Sequence, residues 1–522
     1  MFFRRLALIN FFLIITLFNC SKNDSNKKSE KLSTYIHTRS GDSVGLDPAQ
    51  ETDGESYLVS SNIFNNLVKF KLDSTEVEPD LAKSWSISKD NLTYDFYLQE
   101  NVAFHDGTKF NADSVLFSFN RQRIKTHPAY KIGKWSYWGF MGMSKTIKNI
   151  EKISDFHIRI TLNKPEAPFL ANLAMDFASI VSETAFKKYG KTFPQNPVGT
   201  GPFVFKKWAR GQVIVLERNE NYFDKKPSID KLIFKSVTDP TSRFMSILSG
   251  ESDSMESPDP NDLQKLAKNP KIKILKAPGM NVGYLAFNMS KKPLNDLNFR
   301  KALYHATDKK SIIDHVYEGT AIAAKNPIPP MIWSYNDKIT DYQFNIDIAK
   351  KFLAKVKIPK DFEVKLYALP ISRPYIPNGR KLAEVLQAQW KKIGIKTKII
   401  TYEWGTYLSK AKKGNEYDIV MFGWSGDNGD PDNFLQVLLH SKSSENYARF
   451  NNLEFDQLIE KAKASSKLRT RTDYYLKAQE IFHQQIPWIP IAHSTIMVPL
   501  KAEIKNLKIG PTARLYFNDI KK

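Results

Sequence analysis

Two hydrophobic rhythms divide this chain. From about residue 34 to 280, period-two alternation dominates. Leu92-Thr93-Tyr94-Asp95-Phe96-Tyr97-Leu98 and Phe156-His157-Ile158-Arg159-Ile160-Thr161-Leu162 each gather their apolar side chains on one face, as half-buried strands do. Between them, Ala112 to Arg121 carries Val115, Phe117 and Phe119 in a helix-compatible segment, with Asn111 placed to cap it. Val198-Gly199-Thr200-Gly201-Pro202-Phe203 predicts a tight turn into a further strand. No Gly-Lys-Ser/Thr follows it and no helix begins there, so its glycines do not form a phosphate cradle.

From about 281 to 496 longer helices separate short apolar strands. Tyr284 to Asn288 and Val364 to Ala368 predict strands, and Asn298 to Thr307 a helix. Arg380 to Ile393 sets Leu382, Val385, Leu386, Trp390 and Ile393 at helical spacing; Lys396 to Ile400 follows as a strand and Trp404 to Lys412 as a helix. Tyr417 to Phe422 is an apolar run without alternation, which suits a strand buried on both faces. Strand, helix, strand in that order predicts a parallel sheet. Ligands of such sheets sit beyond the carboxyl ends of the strands. There the chain turns into Gly423-Trp424-Ser425-Gly426-Asp427-Asn428-Gly429-Asp430-Pro431-Asp432-Asn433-Phe434, with glycines that let backbone approach closely. Asp473 to Gln485 predicts a helix stopped by Pro487, after which Trp488 to His493 is expected to return toward the first region. The last twenty residues or so are too few for a domain and are expected to complete the first one. The expected organisation is a first lobe over 34–280 with an extra subdomain, a second over 281–496, and a segment 497–522 that rejoins the first. Two connections of this kind permit closure over a cleft.

With 522 residues the chain exceeds one core, and 42% hydrophobic with 25% charged residues describes an ordinary folded protein. The formal net charge is +22. The lysines are spread along the chain and no nucleic-acid motif is present, so the charge reads as a solvated basic surface and no nucleic-acid partner is expected. Met1-Phe2-Phe3-Arg4-Arg5 is a basic start and Leu6 to Phe18 an apolar stretch of signal-peptide length. Cys20, the single cysteine, closes it, and a polar tether runs from Ser21 to Ser33. This resembles a bacterial lipoprotein signal over 1–20, in which Cys20 is lipidated and becomes the mature N-terminus. Phe18 and Asn19 depart from the small residues usual before such a cysteine. No other cysteine is left for a disulfide, so folding rests on core burial.

Catalysis finds little support. None of the nine histidines forms His-Glu-x-x-His. Gly423-Trp424-Ser425-Gly426-Asp427 lacks the final glycine of a nucleophile elbow. The acidic loop has the wrong spacing for an EF-hand, and Leu438 stands where its last glutamate is needed. No catalytic residue, metal ligand or cofactor is assigned.

Several stretches together resemble the solute-binding components of peptide ABC importers, in particular those that bind dipeptides. They are Leu81-Ala82-Lys83-Ser84-Trp85 through Phe104-His105-Asp106-Gly107, Pro165-Glu166-Ala167-Pro168-Phe169-Leu170, Met175-Asp176-Phe177-Ala178-Ser179-Ile180, Gly199-Thr200-Gly201-Pro202-Phe203, Asn281-Val282-Gly283-Tyr284-Leu285 and Arg373-Pro374-Tyr375-Ile376-Pro377-Asn378. The most specific is Gly426 to Phe434. The similarity runs over nearly the whole chain after the tether. It implies an α/β, two-lobed periplasmic-binding-protein-like fold (type II, cluster C), with the first lobe split into two subdomains and a hinge between lobes. It also implies a monomer outside the cytoplasm, in the periplasm or lipid-anchored at the outer face of a membrane, that delivers peptides to a permease driven by ATPase subunits. In this family an acidic residue of the Asp-Asn-Gly-Asp loop pairs with the peptide ammonium and an arginine of the Arg-Pro-Tyr segment with its carboxylate; these are Asp427 and Arg373 here. Arginine's planar fork suits a carboxylate, and an ionised aspartate accepts from an ammonium. Gly423, Trp424, Ser425 and Gly426 are expected to offer backbone groups to the ligand as an added strand. Trp424, Trp404 and Tyr375 complete the expected site, Trp404 suiting core packing as well as a pocket wall. Asp430 and Asp432 read as structural. Close dipeptide-binding relatives carry cysteines, and the first strand here, Tyr35-Ile36-His37-Thr38-Arg39-Ser40-Gly41, has none. Readings that remain beside a dipeptide binder are a binder of longer peptides or haem within the same family and, from another class, a surface adhesin or chaperone-like lipoprotein.

Overall fold

The computed structural model describes residues 32–522. The expected leader, Cys20 and nearly all of the tether lie outside them. Three sheets carry the fold. A seven-stranded sheet runs in the order Ile272–Ala277, Ile496–Lys501, Ser254–Met255, Thr34–Arg39, Lys231–Ser236, Val213–Arg218, Phe203–Ala209. A four-stranded antiparallel sheet joins Ala82–Ile87, Thr93–Leu98, His157–Leu162 and Ile147–Ser154 in that order. Both alternating runs are its central strands, with their apolar residues buried. Asn111 caps the Ala112–Arg123 helix beside it, its side chain accepting from Asp113 and Ser114 N–H.

The third sheet has six strands: Ala321–Ala323, Trp488–Ser494, Asn281–Phe287, Ile419–Ser425, Glu363–Tyr367, Lys396–Ile400. The strand–helix–strand rhythm produces its parallel half, 363–367 beside 396–400 and 419–420. The other half is antiparallel: 281–287 pairs with 419–425 on one side and 488–494 on the other. Trp488–Ser494 therefore still belongs to this sheet, where Trp488 stacks on Tyr284 at 3.8 Å; its apolar residues seek that interior rather than the first region. The return occurs at Thr495, and Ile496–Lys501 enters the seven-stranded sheet.

The chain thus leaves the first sheet between Ala277 and Asn281 and re-enters between Ser494 and Ile496. The two crossings are tied side by side. Asn281 donates its side-chain amide to Ser494 O (3.0 Å), and its Oδ1 accepts from Ser494 N–H (2.9 Å). Away from the crossings the halves also touch: Lys463 Nζ lies 3.0 Å from Glu166 Oε1, and Asn428 Nδ2 donates to Asn172 Oδ1 at 2.9 Å. Phe517 from the C-terminal segment packs on Tyr35, His37 and Phe234 of the first sheet. Among the described residues no helix is long and apolar enough to cross a membrane.

Candidate functional site

The end of the Ile419–Ser425 strand shapes the site. Gly283 and Gly423 are directly opposed across its antiparallel pair. A Cβ at Gly423 would stand 2.1 Å from Tyr375 Cδ2, and one at Gly283 2.3 Å from Tyr375 O. The paired glycines make a bare strip into which the Arg373–Ile376 segment presses, and Tyr317 holds that segment by donating to Tyr375 O at 2.7 Å. The space at Gly423 is therefore filled by Tyr375. Gly423→Ala is expected to push that ring away and cost about 1–3 kcal/mol, as overpacking does; a fall in thermal midpoint together with weakened ligand binding would register it.

Gly426 differs from the expectation. It does not line the cavity: its N–H donates to Met280 O at 2.6 Å, and a Cβ would meet Met280 Sδ at 2.7 Å. That bond also fixes the polarity of the strand. Exchanged bonds alternate along an antiparallel pair, so Trp424 and Phe422 direct their backbone groups to the 281–287 strand, and Gly423 and Ser425 direct theirs away from it. On that far side the 363–367 strand pairs no further than Val420.

Beyond this edge lies a cavity of about 250 Å³. Seven of the eight expected ligand-binding residues line it: Asp427, Arg373, Trp424, Gly423, Ser425, Trp404 and Tyr375. All belong to the half of the chain built on the six-stranded sheet. The first half faces them with the Thr52–Leu58 turn and helix, Asp176, the Glu256–Pro260 loop, Thr495–Val498 and Thr512–Leu515.

The Arg373 guanidinium lies 4.9 Å over the Trp404 ring, so Trp404 is wall and packing at once. The cation is not solitary. Its Nη1 donates to Glu55 Oε1 at 3.1 Å, across from the first half. Glu55 stands in the first turn of the Gly54–Ser60 helix, fully buried, with Arg39 Nη1 3.6 Å from its other oxygen. Burial works against the Arg373 charge, but Glu55, Tyr375 and Glu256 outweigh it and hold its pKa above the usual value.

Asp427 lines the same cavity among different partners. Tyr137 donates its hydroxyl to Asp427 Oδ2, and the Asp427 N–H donates to Asn433 Oδ1 at 2.9 Å. Asn433 stands in the Asp432–Leu439 helix and also accepts from Trp424 Nε1 at 3.0 Å. Burial, with Asp176 adding to it, pushes Asp427 up to about 7 against hydrogen bonds from Tyr137 and Asn433. Asp176 is itself ion-paired with Arg514. No lysine or arginine pairs with Asp427 among the described residues, which leaves its carboxylate open to a cation. Asp430 and Asp432 turn away from the cavity: Asp430 accepts from Arg471 at 2.7 Å and caps the Asp432 N–H at 3.1 Å.

Glu55, Glu256, Tyr137 and Arg514 escaped the sequence reading. Each lies 100 or more residues from its site partner, in a stretch without a motif. Asp176 lay inside the family-like Met175–Ile180 stretch but was not singled out. Among the described residues no group of three or more His, Cys, Asp or Glu is placed to hold a metal ion.

Residues 76–446 match the model of bacterial extracellular solute-binding proteins, family 5. The chain belongs to this family. It is 40% identical to the dipeptide-binding protein of Escherichia coli (strain K12), over 94% of this chain and 95% of that one. It is 43% identical to heme-binding protein A of Haemophilus influenzae, over 94% and 93%. Among solved structures, the dipeptide binding protein from Pseudoalteromonas in complex with Met-Leu superposes with a TM-score of 0.90 at 31% identity, covering 94% of this chain and all of that one. A periplasmic binding protein from Helicobacter pylori in complex with the peptide STSA gives 0.87 at 37%, covering 93% and 98%. The fold is the two-lobed one of these proteins.

Proposed function

We propose that this protein captures short peptides, dipeptides foremost, outside the cytoplasm and hands them to the permease of an ATP-driven importer. In this reading Asp427 binds the ammonium and Arg373 the terminal carboxylate. Gly423 and Ser425 add backbone hydrogen bonds that ignore side chains, with Trp404, Trp424 and Tyr375 around the ligand. The observation that carries it is that Arg373 and Asp427, opposite in sign, line one cavity and are each met by the other lobe, through Glu55 and Tyr137. A dipeptide spans roughly 7 Å at full extension, so two fixed charges measure ligand length. Closure is favoured because the ligand touches both lobes only when they meet. Lobe I (34–280 with 497–522) and lobe II (281–496) would pivot at the Asn281–Ser494 tie. A lipid on Cys20 would hold the monomer at a membrane, with 21–33 as its leash.

Isothermal calorimetry of ligand-stripped protein tests this with alanyl-alanine, its tripeptide extension and its C-terminal amide. The expected result is tight binding of the dipeptide and at least tenfold weaker binding of the other two. Equal affinity for all three would overturn the two-charge ruler and favour longer peptides, the reading that the STSA complex of the Helicobacter pylori relative supports. Binding of haem alone would favour the activity named for the Haemophilus influenzae relative.

A further inference from the structure

The carboxylate end contains more acceptors than visible protons. Ser40 Oγ lies 3.0 Å from Glu55 Oε1, 3.0 Å from Glu256 Oε1 and 2.9 Å from the Ser372 carbonyl oxygen. Its hydroxyl supplies one proton. Glu55 and Glu256 thus meet at a single hydroxyl, and two carboxylates that share a buried site do not both ionise. One of them therefore holds a proton. Glu256 Oε1 also accepts from Ser40 N–H at 2.9 Å, which favours its ionised form. Glu55 is fully buried and its Oε2 has no hydrogen-bond partner, so it is the group to carry the proton. The electrostatics agree. Burial, then the Glu256 charge, push Glu55 well above its ordinary value despite Arg373 and Arg39. Against its own burial, Glu256 is held below its ordinary value by hydrogen bonds from Glu55 and the Ser40 N–H and by the Arg373 charge.

Every element packed on Glu55 bears on this count. Arg373 faces it from the second lobe and Arg39 from the first strand, where Arg39 is shared with Asp42 at 2.8 Å. Arg243 lies farther off and is used by the Val237, Thr238 and Ser257 carbonyls. His37 is kept neutral by burial, with a pKa lowered to about 4, and its Nδ1 meets Ser254 Oγ. Asp53, at the cap of the helix that holds Glu55, lies on the Arg373 side.

We propose that Glu55 is a specificity-determining residue of the carboxylate end, and that docking of a peptide carboxylate on Arg373 requires Glu55 to keep its proton. The proposal rests on the peptide reading above. With Glu55 ionised, Arg373 is already neutralised, and an arriving carboxylate meets two like charges in a buried site, which disfavours it. With Glu55 protonated, one guanidinium nitrogen stays on Glu55 and the remaining donors are free for the ligand. Linkage gives the sign: the bound state keeps the proton, so affinity falls as pH rises past the point where free Glu55 loses it, by at most about tenfold per unit for this one group. A ligand that ends in an amide lacks the second charge and escapes the penalty.

The test is calorimetry of alanyl-alanine binding from about pH 8 upward, where Asp427 is already ionised. The peptide's own amine also titrates there, so the readout is the difference between wild type and Glu55→Gln. Wild-type affinity is expected to fall more steeply as pH rises than that of Glu55→Gln, whose neutral side chain stands in for the protonated acid. Parallel pH profiles would overturn the proposal while leaving the peptide reading intact; no binding of alanyl-alanine to wild type at any pH would overturn both. If Glu55→Gln does not fold, infrared spectra of wild type answer the same question. A protonated-carboxyl absorption whose loss with rising pH tracks the loss of affinity supports the proposal, and a loss of affinity with no such change overturns it.

Discussion

Arg373→Ala is expected to weaken dipeptide binding by a hundredfold or more, as measured by calorimetry. Truncating one partner of a buried charge pair costs on the order of 3–5 kcal/mol, and about 1.4 kcal/mol is tenfold in affinity. Arg373 is nearly fully buried, so little solvent screening softens the loss. The deletion removes the ligand's countercharge and leaves Glu55 without its cross-lobe donor at 3.1 Å. Glu55 can answer by holding its proton, so the loss should fall mainly on binding and less on folding. Arg373→Lys should recover little. An ammonium cannot keep one hydrogen bond on Glu55, lie flat over Trp404 and still present a fork to a carboxylate. An unchanged dissociation constant in Arg373→Ala would rule out the assigned role.

Asp427→Asn is expected to cost on the order of 2–4 kcal/mol in dipeptide affinity, since it removes the carboxylate that accepts from the ammonium and leaves a buried charge unpaired. The accompanying pH signature is specific. With its pKa raised to about 7, Asp427 is increasingly protonated as pH falls below neutrality, and a neutral carboxyl does not attract an ammonium. Wild-type affinity should therefore fall as pH is lowered from about 7 to 5, and binding near pH 7 should release a proton from Asp427. In Asp427→Asn this acid limb should vanish. Persistence of the same limb in the variant would assign it to another group. Tyr137 and Asn433 would still hold the asparagine in place, so a loss of binding could not be laid to a collapsed loop.

Much of the second lobe was legible because its signals are local. The helix with Leu382, Leu386 and Trp390 on one face, the short strands around it and the apolar run from Tyr417 predict a parallel unit, and that unit forms. The antiparallel half did not show. Asn281–Phe287 and Trp488–Ser494 are both buried along their whole length, and nothing in a fully apolar strand says which neighbour it takes. The same contrast holds in the site. Asp427 and Arg373 sit in distinctive turns, and both reach the cavity. Glu55 looks like any acidic residue in the first turn of a helix, a position that acids favour for the dipole alone. Its partner stands 318 positions away and is reached only through the tertiary fold. Gly426 failed for a related reason: sequence cannot tell a glycine whose N–H is spent on a neighbouring backbone from one that faces the cavity.

A crystal structure of this protein with alanyl-alanine tests the central claim most directly. The account predicts the ammonium within hydrogen-bonding distance of Asp427, the carboxylate on Arg373 beside Glu55, and backbone bonds to Gly423 and Ser425. A peptide bound in the reverse direction, or one that leaves either Asp427 or Arg373 without contact, would contradict it.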